Sequence, residues 1–221
     1  VPGVRASRPL LAATAAAACL VPAVPASAAS LTSDRACYIE SQDVALAGAG
    51  FTASGPVSIS GSQIALSGNA NPDGTLSATA KAPLLGTIKP TSRTITISAR
   101  DSTTSEVVPL KIQVTTAAFA TSTGFKSPKA VRTWKFSGLF QNPGKPIYGH
   151  FRHRGRTYAN YRFGVPKGPC GKLTKRAPGI PARNVPSGLW TVQVDFRRTY
   201  SAKASPRLSG QTSVITTFRR R

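Results

Sequence analysis

The chain has 221 residues, with 29 Lys and Arg against seven Asp and Glu, for a formal charge of +22. Its 40% hydrophobic content supports packed cores and excludes a wholly disordered polyelectrolyte. Past the N-terminal region no segment reaches the run of ~18 apolar residues that a membrane-spanning helix needs.

The charge is segregated. Residues 117–221 carry 21 Lys and Arg and one acid, Asp195, so 21 − 1 = +20. Residues 30–116 carry six basic and six acidic residues, so 6 − 6 = 0, and Arg5 and Arg8 complete the total. A neutral half followed by a polycationic half says where an anionic partner would bind, but not which one.

In chain order, Arg5 and Arg8 precede an apolar run from Leu10 to Val21. Pro22 and Pro25 follow, and Ala26-Ser27-Ala28 supplies an A-x-A pattern. This predicts a secretory signal peptide over 1–28 and a mature protein beginning near Ala29. The leader has no Arg-Arg pair, which favours the general export route. Ala16-Ala17-Ala18-Cys19 resembles a bacterial lipobox, with Ala16 where that motif usually has Leu; lipid attachment at Cys19 is the alternative. The richness in Ala, Arg, Pro and Gly fits a GC-rich bacterial genome. The expected location is secreted, extracellular or cell-wall associated.

Cleavage leaves Cys37 and Cys170, one in each half. In an exported chain these form either a disulfide clamping the halves together, or two free or intermolecular thiols. No C-x-x-C and no Cys/His spacing points to zinc or to a thioredoxin-like site.

From Leu31 onward the period is that of strands. Asp43–Ala47 puts Val44 and Leu46 on one face, Pro56–Ser60 contributes Val57 and Ile59, and Gln63–Leu66 is a short apolar piece. Asn71-Pro72-Asp73-Gly74 predicts a turn. Thr75–Ala80, Thr94–Ala99 and Val108–Val114 alternate again. In the basic half the strands are Arg132–Phe136, Ile147–Arg152, Thr157–Phe163, Leu189–Phe196 and Thr212–Phe218. Val165–Gly171 and Ala177–Gly188 read as loops. The fold class is all-β, with two tandem immunoglobulin-like sandwiches over 29–116 and 117–221.

Leu31-Thr32-Ser33-Asp34-Arg35-Ala36-Cys37-Tyr38, followed by Gly48-Ala49-Gly50-Phe51, resembles the start of bacterial immunoglobulin-like modules. Tyr148-Gly149-His150-Phe151 with Gly155, Gly168–Leu173, and Gly188–Asp195 with Tyr200-Ser201 resemble a group of exported actinobacterial proteins without an assigned function. The resemblance implies the fold, export and the Cys37–Cys170 bond. It implies no activity.

Catalytic constellations are sparse. His150 and His153 are the only histidines; residues three apart on a strand point to opposite faces, so they make a poor metal pair. Asp195 has no second carboxylate in its half for paired acid–base chemistry. No G-x-S-x-G elbow and no phosphate loop occurs. No enzyme activity, cofactor or metal is expected.

The candidate binding surface is the hairpin around His153. Simple alternation puts Ile147, Gly149 and Phe151 inward with Ala159, Tyr161 and Phe163. It puts Tyr148, His150 and Arg152 outward with Tyr158, Asn160 and Arg162, and Arg154 and Arg156 at the tip. Tyr can stack on rings, and Arg can fork onto carboxylate or phosphate. The expected function is an exported, non-catalytic module whose basic half associates with anionic envelope polymers or surfaces. The alternative is a structural or adhesive cell-surface spacer with no specific ligand. Export argues against nucleic acid as the native partner, and no nucleic-acid motif appears.

Overall fold

The computed structural model describes residues 28–122 and 127–214. Residues 1–27, which hold almost all of the expected signal peptide and Cys19, lie outside the described residues. In the neutral half the strands are β1 (Ser30–Ser33), β2 (Cys37–Ile39), β3 (Asp43–Ala49), β4 (Pro56–Gly61), β5 (Ile64–Asn69), β6 (Leu76–Lys81), β7 (Ser92–Asp101) and β8 (Val107–Thr115). They form a three-stranded sheet β1-β3-β6 and a five-stranded sheet β2-β8-β7-β4-β5. All pairings are antiparallel except β2 on β8, which is parallel.

The alternation that makes these segments strands also makes the core. Val44 and Leu46 from one sheet meet Val57, Ile59, Ile97 and Ile112 from the other in one buried cluster. Full burial of each such side chain stabilises by about 1.5–3 kcal/mol before chain entropy is subtracted. The turn expected at Asn71–Gly74 is present: Gly74 N–H donates to Asn71 O. Gly74 has φ +74°, and a Cβ there would sit 2.6 Å from Phe51 O, so the turn requires glycine.

The basic half adds β9 (Ala118–Thr121), β10 (Val131–Ser137), β11 (Ile147–His153), β12 (Arg156–Gly164), β13 (Leu173–Pro178), β14 (Gly188–Asp195) and β15 (Leu208–Val214). Their sheets are β13-β10-β9 and β12-β11-β14-β15. The second core is aromatic. Phe163 lies 5.0 Å from Trp134 and 4.8 Å from Phe136 by ring centroids, and Phe151 meets Trp134 edge-on at 5.8 Å. Such tilted pairs add about 0.5–1.5 kcal/mol beyond burial. Gly149 makes room for them, since a Cβ on it would lie 2.5 Å from Phe163 Cε2. The architecture is all-β, two sandwich-like units each with its own core.

Four strands escape simple alternation: β1, β2, β9 and β13. The first three have only three or four residues, and β13 is an edge strand in which only Ala177 is fully buried. Too few alternating positions exist in them to register as a period. The last strand also begins four residues earlier than expected, at Leu208, while residues 215–218 lie outside the described residues.

The halves are joined tightly. Cys37 and Cys170 are disulfide-bonded across a sequence separation of 133, with Cα atoms 5.3 Å apart. Beside the bond, Thr116 and Ser137 are both buried. Ser137 Oγ donates to Thr116 O at 2.6 Å, and Thr116 Oγ1 donates to Lys89 O at 2.8 Å. Gly138 N–H donates to Cys170 O. Each of these buried seam groups thus has a partner, as burial demands.

Candidate functional site

The hairpin of β11 and β12 does not present the single outward surface that alternation suggests. His150 is fully buried and Asp195 is 1% exposed, although both sit on the side of the sheet away from the aromatic core. The cover is the segment 196–207 between β14 and β15, which folds back over that side. Gln193 Nε2 donates to Ser201 O at 2.9 Å, and Arg197 N–H donates to Asp195 Oδ1 at 2.7 Å. Tyr200 lies edge-on to the His150 ring at 6.0 Å. Alternation along a strand says which side a residue faces; it does not say whether that side is covered.

Under this cover is a polar network that reaches the surface at Asn160. His150 Nε2 lies 3.2 Å from Asp195 Oδ1, and its Nδ1 lies 2.6 Å from Asn160 Oδ1. Gln193 Nε2 donates to Asp195 Oδ2 at 2.7 Å. Both nitrogens of the ring are therefore occupied, and the ring itself is buried. Neither is free to accept a proton from a nucleophile, so the His–Asp pair does not have the open geometry of a catalytic dyad.

Arg152 belongs to the same structure. Its guanidinium carbon lies 3.9 Å from the centre of the Tyr200 ring. Nη1 donates to Tyr200 OH at 2.7 Å, and Nη2 donates to Gly155 O. A guanidinium engaged on two sides in this way is a brace, with little left to offer an external anion.

Tyr158 is displaced by a β-bulge. Phe151 pairs with Ala159, but the next residue, Arg152, pairs with Thr157, so Tyr158 is the extra residue. It leaves the His150 side and packs against Trp190 at 5.1 Å and His153 at 6.1 Å. Arg156 then lies over the Tyr158 ring at 5.8 Å, at the far limit of a cation–π contact. The one-residue shift is what reverses the face.

Of the seven residues expected to form one surface, His150 is sealed in, Arg152 is braced and Tyr158 is on the other side. Tyr148 is half-buried, facing its cross-strand partner Arg162, which is exposed; Arg154 and Arg156 are exposed at the tip. Asp195, Gln193 and Tyr200 were not singled out as site residues. Their signal was present: Asp195 is the only acid of the basic half, two residues beyond Gln193 on the polar side of a strand.

His150 and His153 do point to opposite faces, His153 Nδ1 lying 3.0 Å from Leu189 O. Among the described residues no group of three or more His, Cys, Asp or Glu could hold a metal ion. Among them, too, no helix is long and apolar enough to cross a membrane.

The charge of the basic half is the more general surface feature. Its one acid is buried, so every exposed charged side chain among its described residues is a cation.

No protein-family model matches the chain, and no curated protein matches it. A solved structure described as a tetra-tandem repeat in the extending region of a large adhesion protein is similar at 14% identity and a TM-score of 0.29. The match covers 83% of this chain and 47% of that one, so the chain spans about half its length. At that identity and score it carries no argument about fold or function.

Proposed function

We propose that the protein is a non-catalytic structural module of the cell surface, an exported spacer built from units at 29–116 and 117–221. The observation that carries this is the Cys37–Cys170 bond beside the buried Thr116–Ser137 seam. A covalent bond and a buried hydrogen-bonded seam at the same junction suppress the relative domain motion that a short linker alone would allow. A spacer needs that stiffness. The disulfide also fits an oxidising compartment. The exported actinobacterial group named above is the family to which we assign it.

Rotational diffusion tests the module. Backbone ¹⁵N relaxation of the oxidised protein should give one correlation time for both halves. The Cys37→Ala/Cys170→Ala variant should show two. Independent tumbling of the halves in the oxidised protein would overturn the rigid-spacer reading.

A second reading is favoured by a separate observation, the absence of any exposed carboxylate among the described residues of the basic half. On this reading the spacer also associates with anionic envelope polymers, largely through unpaired surface cations. Long-range attraction of this kind is screened beyond ~8 Å at physiological ionic strength.

A further inference from the structure

A concave feature lies at the junction of the two halves. A notch of about 170 Å³ is walled on one side by Pro90, Thr91 and Ser92 of the neutral half. On the other side are Lys135, Lys172 and Thr174 of the basic half, with Phe136 and Ser137 behind. Its volume is several times the ~30 Å³ share of one water.

The register explains why these groups converge. Lys135 on β10 is the direct cross-strand partner of Thr174 on β13. Lys172 is two residues before Thr174, in a bridge to Lys167 that leads into β13. Cys170 is two residues earlier again, and its disulfide holds this stretch against the neutral half.

The hydrogen-bond inventory separates occupied from available groups. Ser137 Oγ is committed to Thr116 O, and Ser92 Oγ to Thr115 Oγ1. Among the described residues the side chains of Lys135, Lys172, Thr174 and Thr91 have no hydrogen bond or ion pair. Glu40, whose N–H donates to Thr115 O at this junction, turns its Oε2 to Leu85 N–H instead. Lys135, Lys172 and Thr174, all exposed, and the half-buried Thr91 therefore border one recess that no carboxylate-bearing residue lines. Such a border offers only hydrogen-bond donors of positive or neutral charge, which suits an oxygen anion able to accept from them.

We propose that this notch is an oxyanion site for a phosphate-type group, held by Lys135 and Lys172 with Thr91 and Thr174 donating. The assignment deepens the second reading above by naming a site for it. The ligand would touch both halves of the molecule.

The test is a titration of the oxidised, full mature chain with inorganic phosphate, exchanged for chloride at constant ionic strength and followed by ¹H–¹⁵N spectra. Saturable shifts confined to the amides around Thr91, Ser92, Lys135, Lys172 and Thr174 are expected. Lys135→Gln/Lys172→Gln should weaken binding by about tenfold or more, the loss of two charge-assisted hydrogen bonds. Arg154→Gln/Arg156→Gln removes the same charge at the hairpin tip and should change affinity by less than about twofold. Unchanged thermal midpoints in both variants would exclude misfolding. Equal losses in the two variants, or shifts that spread over the basic half without saturating, would overturn the site.

Two further arms identify the source of the phosphate. Short polyphosphate and phosphatidylglycerol vesicles are each tested for binding, and whichever binds should be weakened by the notch variant. Binding of either that is indifferent to Lys135 and Lys172 would overturn the notch and leave the second reading standing. No binding of phosphate, polyphosphate or vesicles would overturn both.

Discussion

His150 Nε2 lies 3.2 Å from Asp195 Oδ1 with both side chains withdrawn from water, in the half of the chain that holds no other acid. The only carboxylate amid so much positive charge is thus spent inside, on a histidine, a glutamine and one backbone N–H. Asp195 Oδ1 also accepts from Arg197 N–H, and with Gln193 Nε2 on Ser201 O this ties the segment 196–207 to the sheet and decides what the hairpin can show to solvent.

Asp195→Ala should be strongly destabilising, by about 3 kcal/mol or more, because Gln193, His150 and Arg197 N–H lose a buried acceptor together. Urea unfolding measures it. In a double-mutant cycle with His150→Ala the effects should be non-additive by about 1 kcal/mol or more, as for residues of one network. Additive losses would mean that the two side chains do not interact.

Tyr158→Ala should lower stability by about 1–3 kcal/mol through loss of burial and of the Trp190 contact. Phosphate affinity of the notch should stay unchanged. A loss of anion affinity at unchanged stability would return Tyr158 to a binding surface.

Gly149→Ala places a methyl against Phe163 and Phe151. Overpacking of this kind costs about 1–3 kcal/mol. The thermal midpoint should fall, and Phe163→Leu in the same chain should recover part of the loss. No recovery would show that the strain lies elsewhere.

Asp101 gives a pH signature. Thr52 N–H, 2.7 Å from its carboxylate, is the main cause that holds its pKa down at about 2, with Thr103 and Thr104 N–H adding to it. Against about 3.9 in the unfolded chain, this stabilisation is fully present above pH ~4 and is lost as pH falls toward ~2. Asp101→Asn should therefore lower stability at neutral pH, and the gap from the parent protein should narrow over that window. Asp34 and Asp73 are also held below the usual carboxylate range, by hydrogen bonds from Tyr38 and Thr75 respectively. The difference between parent and variant isolates Asp101. A gap that stays constant from pH 6 to pH ~2 would contradict the assignment.

Removing the clamp should cost stability as well as stiffness. Closing a loop with a separation of 133 residues is worth up to about 5 kcal/mol in the chain-entropy model. Unfolding of Cys37→Ala/Cys170→Ala should shift to lower denaturant by an amount approaching that value. The shift should exceed that of either seam variant, Thr116→Val or Ser137→Ala.

Much of the fold was legible in the chain. Val44, Leu46, Ile97 and Ile112 fall on one face by a period of two, and burial follows because apolar surface leaves water wherever the pattern permits. Trp134, Phe151, Phe163 and Trp190 mark the second core in the same way. The segregation of charge is also a property of the sequence alone, since formal charge does not depend on folding. So is the presence of one cysteine in each half, although whether they meet is not.

Tertiary structure decided the rest. Alternation, which predicts the hairpin's outward face, is a local rule; His150 is buried because a segment some fifty residues away folds over it. Tyr158 changes face because a single bulge shifts the register, and nothing in the side-chain pattern of β12 encodes that extra residue. Lys135, Lys172 and Thr91 come from three separate stretches and share a recess only because the Cys37–Cys170 bond and the Thr116–Ser137 seam bring the sandwiches together. Local pattern fixes which residues can be buried, because that depends on neighbours along the chain. Which polar groups meet depends on contacts between distant segments, and those exist only in the folded chain.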